Sequence, residues 1–239
     1  MLVPGAWHGA WCWERVVPLL EAAGHRVLAP ELHGMGADSA RAAQGSLAVW
    51  ADQVAQLIRE QGEPVILAGH SRGGAVISEV AERVPERIAS LVYIAALLLP
   101  DGVAIREFLG ETRDRAAAEI VKRDDGTCTV VSADVGPVFY TTTDPEWAER
   151  AASLLTPEPI ASLATPVHVT AERFGRVPRA YVECLQDLAV PLTAQRAMQA
   201  TWPCDPVFTL DCDHSPFYAM PAELASALHR VATERGLTA

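Results

Sequence analysis

The sequence predicts an α/β fold, a mostly parallel sheet with helices packed on both faces. Three observations lead there. Short β-branched runs alternate with helix-length amphipathic stretches. One strand–helix junction carries glycines on both sides of a serine, in Gly69-His70-Ser71-Arg72-Gly73. The length, 239 residues with 50% hydrophobic and 21% charged side chains, suits one large core that needs no metal or disulfide staple.

The elements follow in order. Met1-Leu2-Val3 is the stub of a first strand, cut short by Pro4-Gly5; either the fold begins abruptly or residues upstream are missing. A helix is expected over Trp13–Ala23, ended by Gly24, and a strand over Val27–Ala29. Leu47–Gln61 has apolar residues at Leu47, Trp50, Val54, Leu57 and Ile58, a helical stripe. Strand Pro64–Ala68, helix Gly74–Val84 and strand Ile88–Ala95 come next. The last stretch reads as strand Pro178–Cys184, helix Thr193–Ala200, strand Pro206–Leu210 and helix Pro221–Glu234.

Between Pro100 and Pro178 the rhythm changes. Prolines stand at 137, 145, 157, 159 and 166, with helical pieces around Ile105–Lys122 and Pro145–Leu155 and a polar patch at Lys122–Thr129. So many proline-punctuated residues bury little core alone, which favours a lid over a second domain. The expected division is a core of residues 1–100 and 178–239 with a cap of residues 101–177.

Composition excludes several functions. With Lys+Arg 19 against Asp+Glu 30, net charge −11, there is no basic face for nucleic acid. No apolar run approaches the roughly 18 residues that span a bilayer, and no signal peptide is expected. Five scattered cysteines without a C-x-x-C pair read as reduced thiols of a cytoplasmic protein. Cys204, Cys212 and His214 match no zinc spacing, so neither metal nor cofactor is expected.

The chemistry centres on the glycine-flanked serine. It follows the apolar run Val65–Ala68 and opens a helix containing Val76, Ile77 and Val80, the strand–turn–helix of a nucleophile elbow. Serine needs a base held by an acid, in the chain order Ser, acid, His. Of His168, His214 and His229, only His214 follows a late strand in a loop, Asp211-Cys212-Asp213-His214-Ser215. Asp187, Asp205, Asp211 and Asp213 compete as the acid, and position favours Asp187, just past the carboxyl end of a strand. The oxyanion donors are expected to be the backbone N–H groups of Arg72 and, by location, of Ala6 in the early turn. Trp7, Leu97, Phe139, Tyr140 and Phe217 are candidate pocket walls.

The opening Val3–Trp13, with Pro18-Leu19-Leu20 and Gly24-His25, resembles the α/β-hydrolase group of plant methylesterases, hydroxynitrile lyases and bacterial esterases. Tyr93–Pro100, Phe139–Leu155, Phe174–Gln195 and Asp213–Pro221 are similar to that group too. The resemblance carries the triad onto Ser71, Asp187 and His214 and an oxyanion amide onto Ala6. It implies a small helical cap over an apolar pocket and a homodimer. Pro4 departs from the group's histidine, and Arg72 from its uncharged residue. Gly5 stands where the lyases carry threonine, so it is counted with the pocket, and Ser215 stands where they carry lysine. Hydrolysis of a small-molecule carboxylic ester, aryl ester or lactone is therefore expected. The alternatives are a lyase or cyclase/decarboxylase on the same residues, or a non-catalytic ligand-binding relative. For the Arg72 side chain, two roles stand open: an ion pair at the cap–core junction, or contact with the substrate.

Overall fold

The computed structural model describes residues 1–112 and 118–237. Strand β1 (Leu2–Val3) leads through a 3₁₀ turn at Ala10–Trp13 to helix α1 (Val17–Ala22). The expected Trp13–Ala23 helix is thus divided. Pro18 has no N–H to give an α-helix interior and is tolerated only in a first turn, so the α-helix starts beside it. Gly24 closes the helix at φ +90°.

The expected strand at Val27–Ala29 is not formed. Leu28 C=O accepts one hydrogen bond from Leu2 N–H at 2.8 Å, and Pro30 then removes the donor that a ladder would use next. Helix α2 (Leu47–Arg59) is capped by the Ser46 side chain, which accepts from Val49 N–H. It buries Leu47, Trp50, Val54 and Ile58 of the stripe read from the sequence and leaves Leu57 half-buried. Strand β2 (Val65–His70), helix α3 (Gly73–Arg83) and strand β3 (Ile88–Ile94) follow.

The next segment departs most from expectation. Helix α4 (Ile105–Thr112) ends early, residues 113–117 lie outside the described part, and strand β4 (Ile120–Lys122) occupies the end of the predicted helix. β4 pairs antiparallel with β5 (Thr127–Val130). The polar patch is therefore a hairpin, turned at Gly126 (φ +81°) with the Asp125 carboxylate accepting from Thr127 N–H. Asp-Gly between apolar runs is the turn signal that could have shown it. Helices α5 (Ser132–Phe139) and α6 (Pro145–Leu154), strand β6 (Glu158–Pro159) and helix α7 (Ile160–Ala164) complete the segment, with β6 as third strand of the small sheet.

Strand β7 (Arg179–Cys184), helix α8 (Leu192–Thr201), strand β8 (Val207–Leu210), a short helix α9 (Pro216–Ala219) and helix α10 (Pro221–Glu234) close the chain. The main sheet runs β1-β2-β3-β7-β8, every pair parallel. Its inner strands are apolar on both faces, as a covered parallel sheet requires. Leu67, Leu91, Tyr93 and Tyr181 pack with Trp50, Val76 and Met198, on the side of α2, α3 and α8. Ala68, Val92, Ile94 and Val182 pack with Trp13, Leu224 and Leu228, on the side of α10.

All five strands run the same way, so the loops after β1, β2, β3, β7 and β8 gather at one edge. One buried side chain fixes the β3 loop. Tyr181 Oη accepts from Ala96 N–H at 3.1 Å and donates to Ala96 C=O at 2.7 Å, just past Ala95 at φ +44°. Tyr181→Phe strands both backbone groups in a dry core. It is expected to lower stability by about 1–3 kcal/mol, read as a lower urea midpoint at unchanged m.

Candidate active site

Ser71 sits at φ +51°, a conformation a non-glycine residue rarely takes and which costs about 1–3 kcal/mol. The surroundings impose it. Ser71 N–H donates to Ile94 C=O at 3.2 Å, and its carbonyl accepts from Leu97 N–H and Gly74 N–H, both at 3.0 Å. A Cβ on Gly69 would meet Gly73 O at 2.6 Å, and one on Gly73 would meet Pro4 O and Val3 O at 2.8 Å. Both flanking positions must therefore be glycine for the backbones to close this far.

His214 follows β8 and is buried. Its Nδ1 lies 2.8 Å from Asp187 Oδ2, so Nδ1–H donates to the carboxylate and Nε2 keeps the lone pair. Asp187 is buried past the end of β7. Its Oδ1 accepts from Ala189 and Val190 N–H, both at 2.8 Å, and Gln195 Nε2 reaches Oδ2 at 3.3 Å. Among the other aspartates, Asp205 is exposed and Asp211 is exposed with its carboxylate on Gln186 Nε2. Asp213 is buried but faces away to Thr142 and Thr143, accepting from both N–H groups (2.8 and 2.9 Å) and from Thr143 Oγ1 (2.9 Å). His168 is exposed, and His229 pairs with His25 at 2.8 Å.

Two histidines that the sequence did not single out support the loops. His70 Nε2–H donates to His214 C=O at 2.7 Å. His8 Nδ1–H donates to Ala6 C=O at 2.7 Å, which leaves Nε2 to accept from Tyr140 Oη–H at 2.6 Å. Burial, reinforced by the neighbouring His214 and Arg72, holds both rings neutral: His8 is lowered to about 4 and His70 well below the usual histidine range. Their one signal is position, next to the elbow and next to the oxyanion turn.

Ser71 and His214 line one cavity of about 160 Å³. Ala6, Trp7, Arg72, Leu97 and Phe139 also line it, and Ile105, Leu109, Val138 and Leu163 cover it from the segment after β3. Three expected wall residues lie elsewhere. Tyr140 is turned to His8, Phe217 is fully buried edge-on to His70, and Gly5 packs behind the elbow, where a Cβ would meet His70 Nδ1 at 2.7 Å. A larger hollow of about 280 Å³ between Met1, His25 and Leu228 shares no residue with this cavity.

Arg72 is buried and makes the first of its two expected contacts. Its Nε lies 3.0 Å from Glu158 Oε1, its Nη2 donates to Gly5 C=O at 2.8 Å, and its guanidinium stacks 4.2 Å from the Trp50 ring centre. Glu158 stands between two prolines in a region without periodic pattern, so nothing in the sequence marked it.

The chain as a whole is similar to known proteins. The profile of the alpha/beta hydrolase family matches residues 1–227. The chain belongs to this family. It is 32% identical to a pyrethroid hydrolase of Sphingobium wenxiniae over 95% of this chain and 85% of that protein. A chloroplastic methylesterase relative in Arabidopsis thaliana is likewise 32% identical over 95% of this chain, which spans 54% of that longer protein. Among solved structures, polyneuridine aldehyde esterase superposes with a TM-score of 0.86 at 25% identity, covering 97% of both chains.

The two neutral histidines give a pH dependence. An unfolded histidine binds its proton near pH 6.5, whereas native His8 binds one only near pH 4. Between those values the unfolded state holds more protons, so stability is full above about pH 6.5 and falls as pH drops toward 4. Urea unfolding should show a loss of a few kcal/mol from pH 7 to pH 5; equal or greater stability at pH 5 contradicts the neutral pair.

Proposed function

We propose that the protein is a serine hydrolase of small-molecule carboxylic esters, acting through an acyl-enzyme. The carrying observation is the 2.8 Å bond from His214 to Asp187 beside the cavity that the strained Ser71 enters. Ser71 Oγ attacks the ester carbonyl while His214 Nε2 takes its proton, and Asp187 keeps the imidazole in the tautomer this requires. The negative charge that develops on the carbonyl oxygen is met by the amides of Ala6 and Arg72. Neither has a hydrogen-bond partner among the described residues. His214 then returns the proton to the leaving alkoxide and activates the water that releases the acid.

The size of the cavity limits the substrate. At about 160 Å³ it is comparable to a protein cavity of roughly 150 Å³ that holds benzene, which suits a group of about one ring beside Ser71. Apolar walls at Leu97, Phe139 and Leu163 favour an alkyl or aryl group, consistent with the ester hydrolases among the relatives. Residues 101–177 serve as the cap. The five free cysteines support a reducing, cytoplasmic setting, and the family resemblance supports a homodimer, which size-exclusion chromatography tests.

Lyase chemistry is not favoured. Threonine at Gly5 would run into the His70 ring and Ser71 Cβ, at 2.7 and 3.0 Å. Of the two arginines that line the cavity among the described residues, Arg72 and Arg106, the one next to Ser71 is engaged by Glu158 and Gly5.

Ser71→Ala should fold normally and lose essentially all turnover of p-nitrophenyl acetate. Asp187→Asn should lower kcat by about 10³–10⁴, because the amide presents the wrong tautomer partner. Mandelonitrile should release no cyanide above background. Full esterase activity in Ser71→Ala, or Ser71-dependent cyanide release without esterase activity, contradicts the assignment.

A further inference from the structure

The turn that carries the Ala6 amide is held on almost every side. A trans peptide is a rigid plane whose C=O and N–H point in opposite directions, so fixing one end aims the other. In the Gly5–Ala6 peptide, the carbonyl accepts from Arg72 Nη2 at 2.8 Å. In the next peptide, Ala6 C=O accepts from His8 Nδ1–H at 2.7 Å and Trp7 N–H donates to Glu158 Oε2 at 3.0 Å. Trp7 C=O accepts from Thr156 N–H at 2.9 Å, and the Trp7 ring N–H donates to Cys128 C=O at 3.2 Å. Trp7 is held at φ +62° by these bonds. Of the polar backbone atoms from Gly5 C=O to Trp7 C=O, only Ala6 N–H is left without a partner.

Two of those grips belong to one buried ion pair. Arg72 Nε and Glu158 Oε1 are 3.0 Å apart with both side chains essentially inaccessible to solvent. The pair spans two parts of the chain: Arg72 is the elbow residue, and Glu158 lies on β6 opposite Cys128 of β5. Ser162 Oγ donates to Glu158 Oε1 at 2.6 Å and fixes the carboxylate further. A buried ion pair is a poor source of net stability, because desolvation offsets most of the attraction. It fixes direction here through the hydrogen bonds its two members make, Arg72 Nη2 donating to Gly5 C=O and the Glu158 carboxylate accepting from Trp7 N–H and Ser162 Oγ.

We infer that Arg72 and Glu158 are positioning residues, together aiming the Ala6 N–H at the oxyanion across the cap–core junction. Arg72 then has two roles. Its main chain supplies one oxyanion donor, and its side chain orients the peptide that supplies the other. The inference rests on the serine-hydrolase reading and adds to it that the cap helps build the oxyanion site as well as covering the cavity.

The test is the double variant Arg72→Met/Glu158→Leu, which removes both charges at similar volume, with Arg72→Lys as a second variant that keeps a cation beside Glu158. Turnover of p-nitrophenyl acetate is measured beside the inhibition constant of a trifluoromethyl ketone, which forms a tetrahedral oxyanion on the serine. The double variant should fold, lose about 10- to 100-fold in kcat and keep KM within about twofold. The ketone should weaken by the same factor as kcat/KM, and the pH midpoint of kcat/KM should stay in place, since His214 and Asp187 are untouched. Arg72→Lys should show the same pattern with a smaller loss, and it carries the test if the double variant does not fold. A folded variant with kcat and ketone affinity within twofold of wild type overturns the inference, as does a rise in KM at unchanged kcat. If wild type and Ser71→Ala are equally inactive on every ester, the hydrolase reading itself fails, a result distinct from active wild type with unaffected variants.

Discussion

The active-site edge depends on how closely three stretches of backbone approach at the elbow. Gly69 lies against the carbonyl of Gly73, and Gly73 against the carbonyls of Val3 and Pro4, at separations that leave no space for a methyl group. This contact turns the chain sharply enough to put Ser71 at φ +51°. It also presses the turn after β1 onto the start of α3, so Ser71 and the backbone amides of Ala6 and Arg72 are brought together by one packing event. Gly5 belongs to the same contact, its Cα facing the His70 ring and Ser71 Cβ. Strain at Ser71 is sustained because its neighbours cannot relax without parting β1 from β2, which are joined in register at Leu2–Ala68 and Val3–Gly69.

Around that contact the polar groups are few and buried. His8 and His70 are neutral because burial opposes their charge, and this has a consequence for catalysis. In the proposed mechanism His214 becomes a cation when it accepts the serine proton, and a charged His70 with its ring centre 4.6 Å away would oppose that step. The neutral rings act only through directed hydrogen bonds, one to His214 C=O and one to Ala6 C=O. They position the base loop and the oxyanion loop without adding charge between them.

The sequence disclosed what local chemistry fixes and missed what only tertiary pairing fixes. The elbow was legible because glycine, serine and glycine between an apolar strand and a helix answer one steric problem. Asp187 could be chosen over Asp211 and Asp213 because a strand end is a definite place in a parallel sheet. The small sheet β4-β5-β6 was hidden, since strands of two to four residues carry no periodicity and Ile120–Lys122 continues a helical pattern. Tyr140 and Phe217 were read as pocket walls for their aromatic character, but the ring that decides their direction, His8 or His70, lies far away in the chain. Glu158 left no trace at all. Its partners Arg72 and Trp7 precede it by more than eighty residues, and no local pattern records a contact of that span.

Two of the buried carboxylates that join residues 101–177, the proposed cap, to the rest of the chain have opposite origins. Asp213, on the core loop that carries His214, reaches outward to Thr142 and Thr143. Glu158, on the cap strand β6, reaches inward to Trp7 and Arg72. One clasp sits beside His214 and the other beside the Gly5–Trp7 turn, so each of these loops has a segment of residues 101–177 bonded to it. A carboxylate is the right group for both tasks, since it accepts several N–H donors at once and a dry interior penalises any lost partner. The opposite wall, formed by Ile105, Arg106 and Leu109 of α4 with Leu163 of α7, is mostly apolar, with Arg106 its one charged residue among the described ones. Apolar packing is non-directional and tolerates changes of size better than a buried hydrogen-bond network does. Room for the substrate is thus set on the α4 side, while the geometry of reaction is set on the sides held by Asp213 and Glu158.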